Sequence, residues 1–169
     1  KNAKRKKGIF IDVGCNHPVE YNNTYLLYLS GRRGINIDGN KDLISLYKRF
    51  RKGDISLNHL VSDKEEEVVF HLSKSDKLST IQTEHMDISG NDKFSEKLDV
   101  RMRTRTLNSI LEEHLKEPDP VIDLVCIDVE GHDFEVISSI DLNKYKPYLI
   151  VVEMHDFSPI DFEDHKVYR

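Results

Sequence analysis

Apolar positions along the chain follow two rhythms. Apolar-rich runs at 9–13, 35–37, 122–127 and 148–152, the first three each interrupted by one polar residue (Asp12, Asn36, Asp123), have the length and β-branched content of buried strands. Between them, apolar residues recur every three or four positions. This spacing predicts a short helix at about 24–29 stopped by Gly31, and a longer one at about 42–51 with Leu43, Leu46, Tyr47 and Phe50 on one face. A third helix is capped by Thr106, carries Leu107, Ile110 and Leu111, and ends before Glu117-Pro118-Asp119-Pro120; a fourth covers 134–139. Strand and helix alternate from the start, so the pattern predicts a mostly parallel α/β sheet with helices on both faces. In the middle, 55–61 and 68–72 read as a strand and its hairpin partner joined by the polar turn Ser62-Asp63-Lys64-Glu65, and 100–104 as a short strand. The segment 74–98 is poor in apolar residues and reads as a surface loop or a flap over a ligand crevice.

Composition narrows the class. A chain of 169 residues fits one domain, and a net charge of −5 with 33% charged residues offers no general attraction to nucleic acid or anionic lipid. The basic runs Lys4-Arg5-Lys6-Lys7 and Lys48-Arg49-Arg51-Lys52 read as a solvated tail and a solvated helix face. The two cysteines, Cys15 and Cys126, are not spaced as a metal knuckle or a disulfide framework. No run reaches the length of a membrane span and no signal-peptide pattern precedes the first strand, which makes a reducing, cytoplasmic setting the expectation. Asn22-Asn23-Thr24, formally a glycosylation acceptor, reads as capping for the first helix.

Chemistry begins where the first strand meets its turn, Ile11-Asp12-Val13-Gly14-Cys15-Asn16-His17, and where the second ends in Asp38-Gly39-Asn40. A glycine lets the backbone approach a ligand, and a carboxylate at the next strand's end can accept both hydroxyls of a ribose. The turn lacks the second and third glycines of a dinucleotide fingerprint. NAD is therefore disfavoured and a smaller adenosyl ligand favoured. An ordinary strand-to-helix turn is the plain reading of Asp12 and Gly14; the arrival of Asp38 at the expected distance favours the ligand-binding one. Cys15 reads as a small buried residue within this turn, while Asn16 and His17 either contact the cofactor or cap the turn.

With these motifs the chain resembles the FkbM-like family of S-adenosylmethionine-dependent methyltransferases. The likeness runs from Phe10-Ile11-Asp12-Val13-Gly14-Cys15-Asn16 through Arg51-Lys52-Gly53-Asp54-Ile55-Ser56-Leu57-Asn58 and Arg103-Thr104-Arg105-Thr106-Leu107. It continues to Ile127-Asp128-Val129-Glu130-Gly131-His132-Asp133 and Lys146-Pro147-Tyr148-Leu149-Ile150-Val151-Val152-Glu153. The resemblance implies a class I, Rossmann-like methyltransferase sheet of seven strands, S-adenosylmethionine as cofactor, and methylation of a hydroxyl on a sugar, glycan or glycosylated metabolite. Family members usually close with an antiparallel hairpin, and only 157–169 remain for it here, so the hairpin is either absent or very short. The missing initial Met suggests a domain excised from a longer glycan-processing protein, with room for fusion to glycosyltransferase domains.

In that topology the strands ending at Asp12 and Asp128 flank the point where strand order reverses, the usual ligand crevice of an open α/β sheet. Asp12 would orient the glycine turn and bind the amino-acid end of the cofactor, Gly14 would permit close approach, and Asp38 would hold the ribose. Cys15, Asn16, Gly39, Asn40 and Asp128 complete the expected cofactor contacts, with Ser62, near Asp54 and Asp63, at the adenine end. Asp128, Glu130, His132 and Asp133 crowd one strand tip, and Glu153, His155 and Asp156 the next. Such like charges persist when a cation or a proton offsets them. One reading is a Mg²⁺ or Mn²⁺ ion held by some of Asp128, Glu130, Glu153 and His155, lowering the pKa of the acceptor hydroxyl. Another, without metal, makes His155 or Asp128 the general base, with Glu130 also a catalytic candidate. The plain rival has Glu130 capping a helix and Glu153 in a structural ion pair. The histidines at 59, 71, 85, 114 and 165 read as structural. Two other functions compete: a nicotinamide-dependent oxidoreductase, and a non-catalytic scaffold module of a glycan-synthesis protein.

Overall fold

The computed structural model describes residues 7–73 and 97–153. In chain order its elements are β1 (Ile9–Val13), α1 (Tyr25–Leu29), β2 (Gly34–Asp38), α2 (Lys41–Phe50), β3 (Ile55–Asn58), β4 (Leu60–Val61), β5 (Glu67–Ser73), β6 (Lys97–Arg105), α3 (Leu107–His114), β7 (Ile122–Ile127), α4 (Asp133–Ser138), α5 (Leu142–Tyr145) and β8 (Ile150–Val152). Five strands form an all-parallel sheet in the order β3-β2-β1-β7-β8. Strand order reverses between β1 and β7.

Period-two alternation divides the core. In β1, Ile11 and Val13 join Ile35, Ile37, Leu107, Ile110, Leu111 and Ile127 in the main apolar cluster. Phe10 and Asp12 occupy the alternate positions, and both are buried. On their side Asn36 of β2, Tyr47 of α2 and Arg51 are buried, Arg51 being 1% exposed. Local signals fit the helix starts. The Asn40 side chain accepts from the N–H groups of Asp42 (3.0 Å) and Leu43 (3.3 Å), opening α2, and the Thr106 hydroxyl accepts from Ser109 N–H (3.1 Å), opening α3.

The structure departs from the sequence pattern in the middle of the chain. Residues 55–61 are two strands broken at His59: β3 is the edge of the parallel sheet, whereas β4 pairs with β6. The antiparallel partner of β5 is therefore β6, from Glu67↔Arg103 to Ser73↔Lys97, and not the preceding strand. A short polar turn suggested a local hairpin, but β3 instead adds to β2 in parallel. Lys97 and Leu98, assigned to the flap, begin β6; 74–96 lie outside the described residues, as do Lys4, Arg5 and Lys6 of the basic leader and 154–169, where a closing hairpin was looked for. On α2 the buried residues are Leu43, Ile44 and Tyr47, while Phe50 is exposed. Among the described residues no helix is long and apolar enough to cross a membrane.

Candidate active site

The carboxyl ends of β2, β1 and β7 are knitted together by backbone contacts. Ile37 O accepts from the N–H groups of Gly14 (2.9 Å) and Cys15 (3.2 Å), and Val13 O accepts from Asp128 N–H (3.0 Å). Gly14 has φ +76°, and a Cβ on it would lie 1.8 Å from Asp128 O. Any other residue would push the two strand tips apart. Above this junction opens a cleft lined by Asp12, Gly14, Cys15, Asn16, Asp38, Gly39, Asn40, Asp128 and Glu130 on its polar side. Leu43, Leu60, Val61 and Phe70 supply an apolar wall. The mixture of a few converging acids and an apolar wall suits a small ligand with an apolar ring and a polar tail.

Asp38 is tied on both oxygens, accepting from Asn16 N–H (2.9 Å) and Asn40 N–H (2.7 Å). Burial raises its pKa above the usual carboxylate value, and those two N–H groups oppose the rise. Each oxygen keeps a second lone pair for a ligand hydroxyl. Asp12 is more enclosed. Burial pushes its carboxyl up to about 6; the Thr24 hydroxyl, donating at 2.6 Å, and the Arg51 guanidinium pull it down, and the charges of Asp128 and Asp38 add to the rise. Both thiols are held in the protonated form. Burial holds Cys15 well above its ordinary value and pushes Cys126 up to about 12. Cys15 contributes its carbonyl, which accepts from Tyr47 Oη (2.7 Å) and Asn22 Nδ2 (2.8 Å).

Beneath Asp12 sits a part that the sequence pattern hid. Arg51, read as one charge of a solvated helix face, is the residue just past α2, and its side chain is fully buried. Nε donates to Asp54 Oδ2 (3.0 Å), Nη1 to Pro18 O (3.1 Å) and Asn22 Oδ1 (3.0 Å), and Nη2 to Thr24 Oγ1 (3.1 Å) and Asn36 Oδ1 (3.5 Å). The guanidinium's five N–H groups match these five acceptors. The rings of Phe10, Tyr25, Tyr28 and Tyr47 surround it at 4.8–5.8 Å. Asp54, expected near the adenine end, therefore lies at the opposite, amino-terminal end of β3 as the partner of this arginine. The Asn22-Asn23-Thr24 run also differs from expectation. Thr24 makes no side-chain cap, and Asn22 Oδ1 instead accepts from the Thr24 N–H while its amide holds Cys15 O.

Three of the four non-glycine residues with left-handed backbone among the described residues, Asn16 (φ 47°), Tyr21 (φ 51°) and Glu130 (φ 54°), line the cleft. Each such residue costs about 1–3 kcal/mol, and strain of this kind gathers at ligand sites. Asn16 Oδ1 accepts from His17 N–H, and His17 Nδ1 from Glu20 N–H (3.0 Å), so both close the turn as well. Leu60 and Val61, rather than Ser62, line the wall. The Ser62 hydroxyl lies 2.9 Å from His132 Nε2, linking the turns after β4 and β7. His59, read as structural, also lines the cleft.

On the far side, carboxylate oxygens of Asp128, Glu130 and Glu153 lie within 4.8 Å of one another. Hard oxygen donors at this separation fit a divalent ion such as Mg²⁺ or Mn²⁺. His155, the fourth candidate, lies outside the described residues. The turn before α4 is closed by Asp133, whose carboxylate accepts from Val129 N–H (3.0 Å) and Gly131 N–H (3.1 Å).

The cleft residues missed in sequence, among them Tyr21, Asn23, His59 and Phe70, come from loops and from the hairpin whose pairing was misassigned. Residues 12–169 match a family model described as the methyltransferase FkbM domain. No curated protein and no solved structure matches the chain.

Proposed function

The chain belongs to the FkbM methyltransferase family, and from that premise we propose that it moves a methyl group from S-adenosylmethionine to a hydroxyl oxygen of a sugar, glycan or glycosylated metabolite. The observation that carries this reading is the contact of the Gly14 turn with Asp128 at the strand-order reversal, which gathers Asp12, Asp38, Asp128 and Glu130 around one cleft. When bound, the cofactor supplies a methyl group on a sulfonium, a centre that needs no acid to activate its leaving group.

The residues divide the remaining work. Asp38, fixed by two N–H groups, presents lone pairs to ribose hydroxyls. Leu60, Val61 and Phe70 give the adenine a dry wall, and Asp12 answers the positive charge of the amino-acid end. Asp128, Glu130 and Glu153 face the acceptor side, where one of them takes the hydroxyl proton as the oxygen attacks. A divalent ion held by the same three would lower the pKa of that hydroxyl.

Calorimetric titration with S-adenosylhomocysteine and, separately, NADH tests the cofactor reading. We expect binding of the first only, weakened roughly 100-fold by Asp38→Ala, the loss of two hydrogen bonds to a charged acceptor. Binding of NADH alone would overturn it. Transfer of labelled methyl that survives exhaustive chelation would remove the metal while leaving the carboxylate base in place.

A further inference from the structure

Tyr21 is the odd residue of the cleft. Its side chain is 93% exposed, the largest exposure among the apolar and aromatic residues described, although it lines the cleft beside Asn23, Asp128 and Glu130. Its backbone is left-handed, a conformation unfavourable for a bulky residue. The next residue holds that conformation. Asn22 donates to Cys15 O and Tyr47 Oη and accepts from Thr24 and from the buried Arg51, so the chain cannot relax at position 22 without breaking the floor of the site. Rigid local structure thus displays one aromatic ring at the cleft alongside the amide of Asn23 and the carboxylates of Asp128 and Glu130. Asn23 Nδ2 reaches Asp128 Oδ2 at 3.5 Å, which joins Tyr21's loop to one of the candidate bases.

We propose that Tyr21 is the stacking platform of the acceptor site and that its ligand is a pyranose ring. The C–H groups on one face of a sugar carry partial positive charge and pack on the negative face of an aromatic ring, while its edge hydroxyls need amide and carboxylate partners. Tyr21 supplies the first surface, and Asn23, Asp128 and Glu130 supply the second. A planar apolar acceptor would offer those polar groups no hydroxyl edge to bond. This inference rests on the reading of the cleft as a site of methyl transfer to a glycan, and it adds the residue that selects the ring.

The test uses the whole chain saturated with S-adenosylhomocysteine. Saturation-transfer NMR and titration are run with four probes, the methyl glycosides of glucose, galactose, mannose and N-acetylglucosamine. We expect at least one probe to receive saturation, with its Kd raised roughly tenfold by Tyr21→Ala, the scale of one lost ring contact plus its buried area. Tyr21→Phe and Tyr21→Trp should restore it, because the ring and not the hydroxyl does the packing. S-adenosylhomocysteine affinity should be the same in all four proteins. Equal probe affinity in Tyr21→Ala would overturn the platform while leaving glycan methylation standing. Loss of S-adenosylhomocysteine affinity in Tyr21→Ala would overturn it by assigning the ring to the cofactor. Absence of saturation transfer to every probe in the unmodified protein would overturn both the platform and the sugar acceptor.

Discussion

Replacing Arg51 with Met tests whether the floor of the cleft is held as described. Methionine keeps an apolar stem of similar length but removes the charge and all five donors. Asp54, whose side chain is wholly buried, would keep the N–H of Gly34 (3.2 Å) and the amide of Asn36 (3.2 Å) but lose its counter-charge. Pro18 O and Asn22 Oδ1 would each lose a buried donor. Leaving one member of a buried ion pair uncompensated costs about 3–5 kcal/mol. Against a total stability of about 5–15 kcal/mol, that is a large fraction. Lysine retains the charge with three donors in place of five, so Arg51→Lys should cost about 2–3 kcal/mol at roughly 1–1.5 kcal/mol for each lost bond. Urea unfolding at pH 7 measures all of these. Adding Asp54→Asn to Arg51→Met removes the orphaned charge and should recover about 1–2 kcal/mol. A loss below about 1 kcal/mol for Arg51→Met, or no recovery in the double variant, would refute the account.

Asp12 makes a pH prediction. Its carboxyl keeps a proton up to about pH 6 in the folded chain but releases it near 3.8 when unfolded, so between these values the folded chain binds more protons and stability falls as pH rises. The full loss, about 3 kcal/mol, is reached above pH 6 and should vanish from the Asp12→Asn variant. Unfolding curves of the two proteins that run parallel from pH 4 to pH 7 would count against this. Gly14→Ala places a Cβ against Asp128 O and forces an unfavourable φ; we expect a loss of at least about 2 kcal/mol and no detectable S-adenosylhomocysteine binding. Unchanged binding in that variant would mean that the turn has room to spare.

The parallel sheet was legible because most of its strands are short and rich in apolar, β-branched residues. The spans 9–13 and 122–127 coincide with β1 and β7, and these two pair as the family resemblance implied. Two things were hidden for physical reasons. Sheet pairing is non-local, so the polar turn after Val61 carried no information on whether β5 would pair backward or with β6, more than twenty residues ahead. A buried charge looks like an exposed one in composition. Arg51 sits in a basic run, and only the three-dimensional meeting of Pro18, Asn22, Thr24, Asn36 and Asp54 reveals that its neighbours in sequence are solvated and it is not.

That burial bears on which ligand the cleft suits. Asp12, Asp38 and Asp128 converge on one opening, and the pKa values of Asp12 and Asp38 are raised by loss of water, with mutual repulsion adding to the rise at Asp12. The nearby fixed cation is Arg51, whose charge is already engaged by Asp54. A ligand bearing positive centres relieves this excess, and its binding should lower the Asp12 pKa from about 6. A pyrophosphate would add negative charge to the same space and meet one close-approach glycine where a dinucleotide site uses three. Electrostatics and backbone geometry thus disfavour the nicotinamide alternative independently, and the electrostatics support the cationic cofactor proposed above.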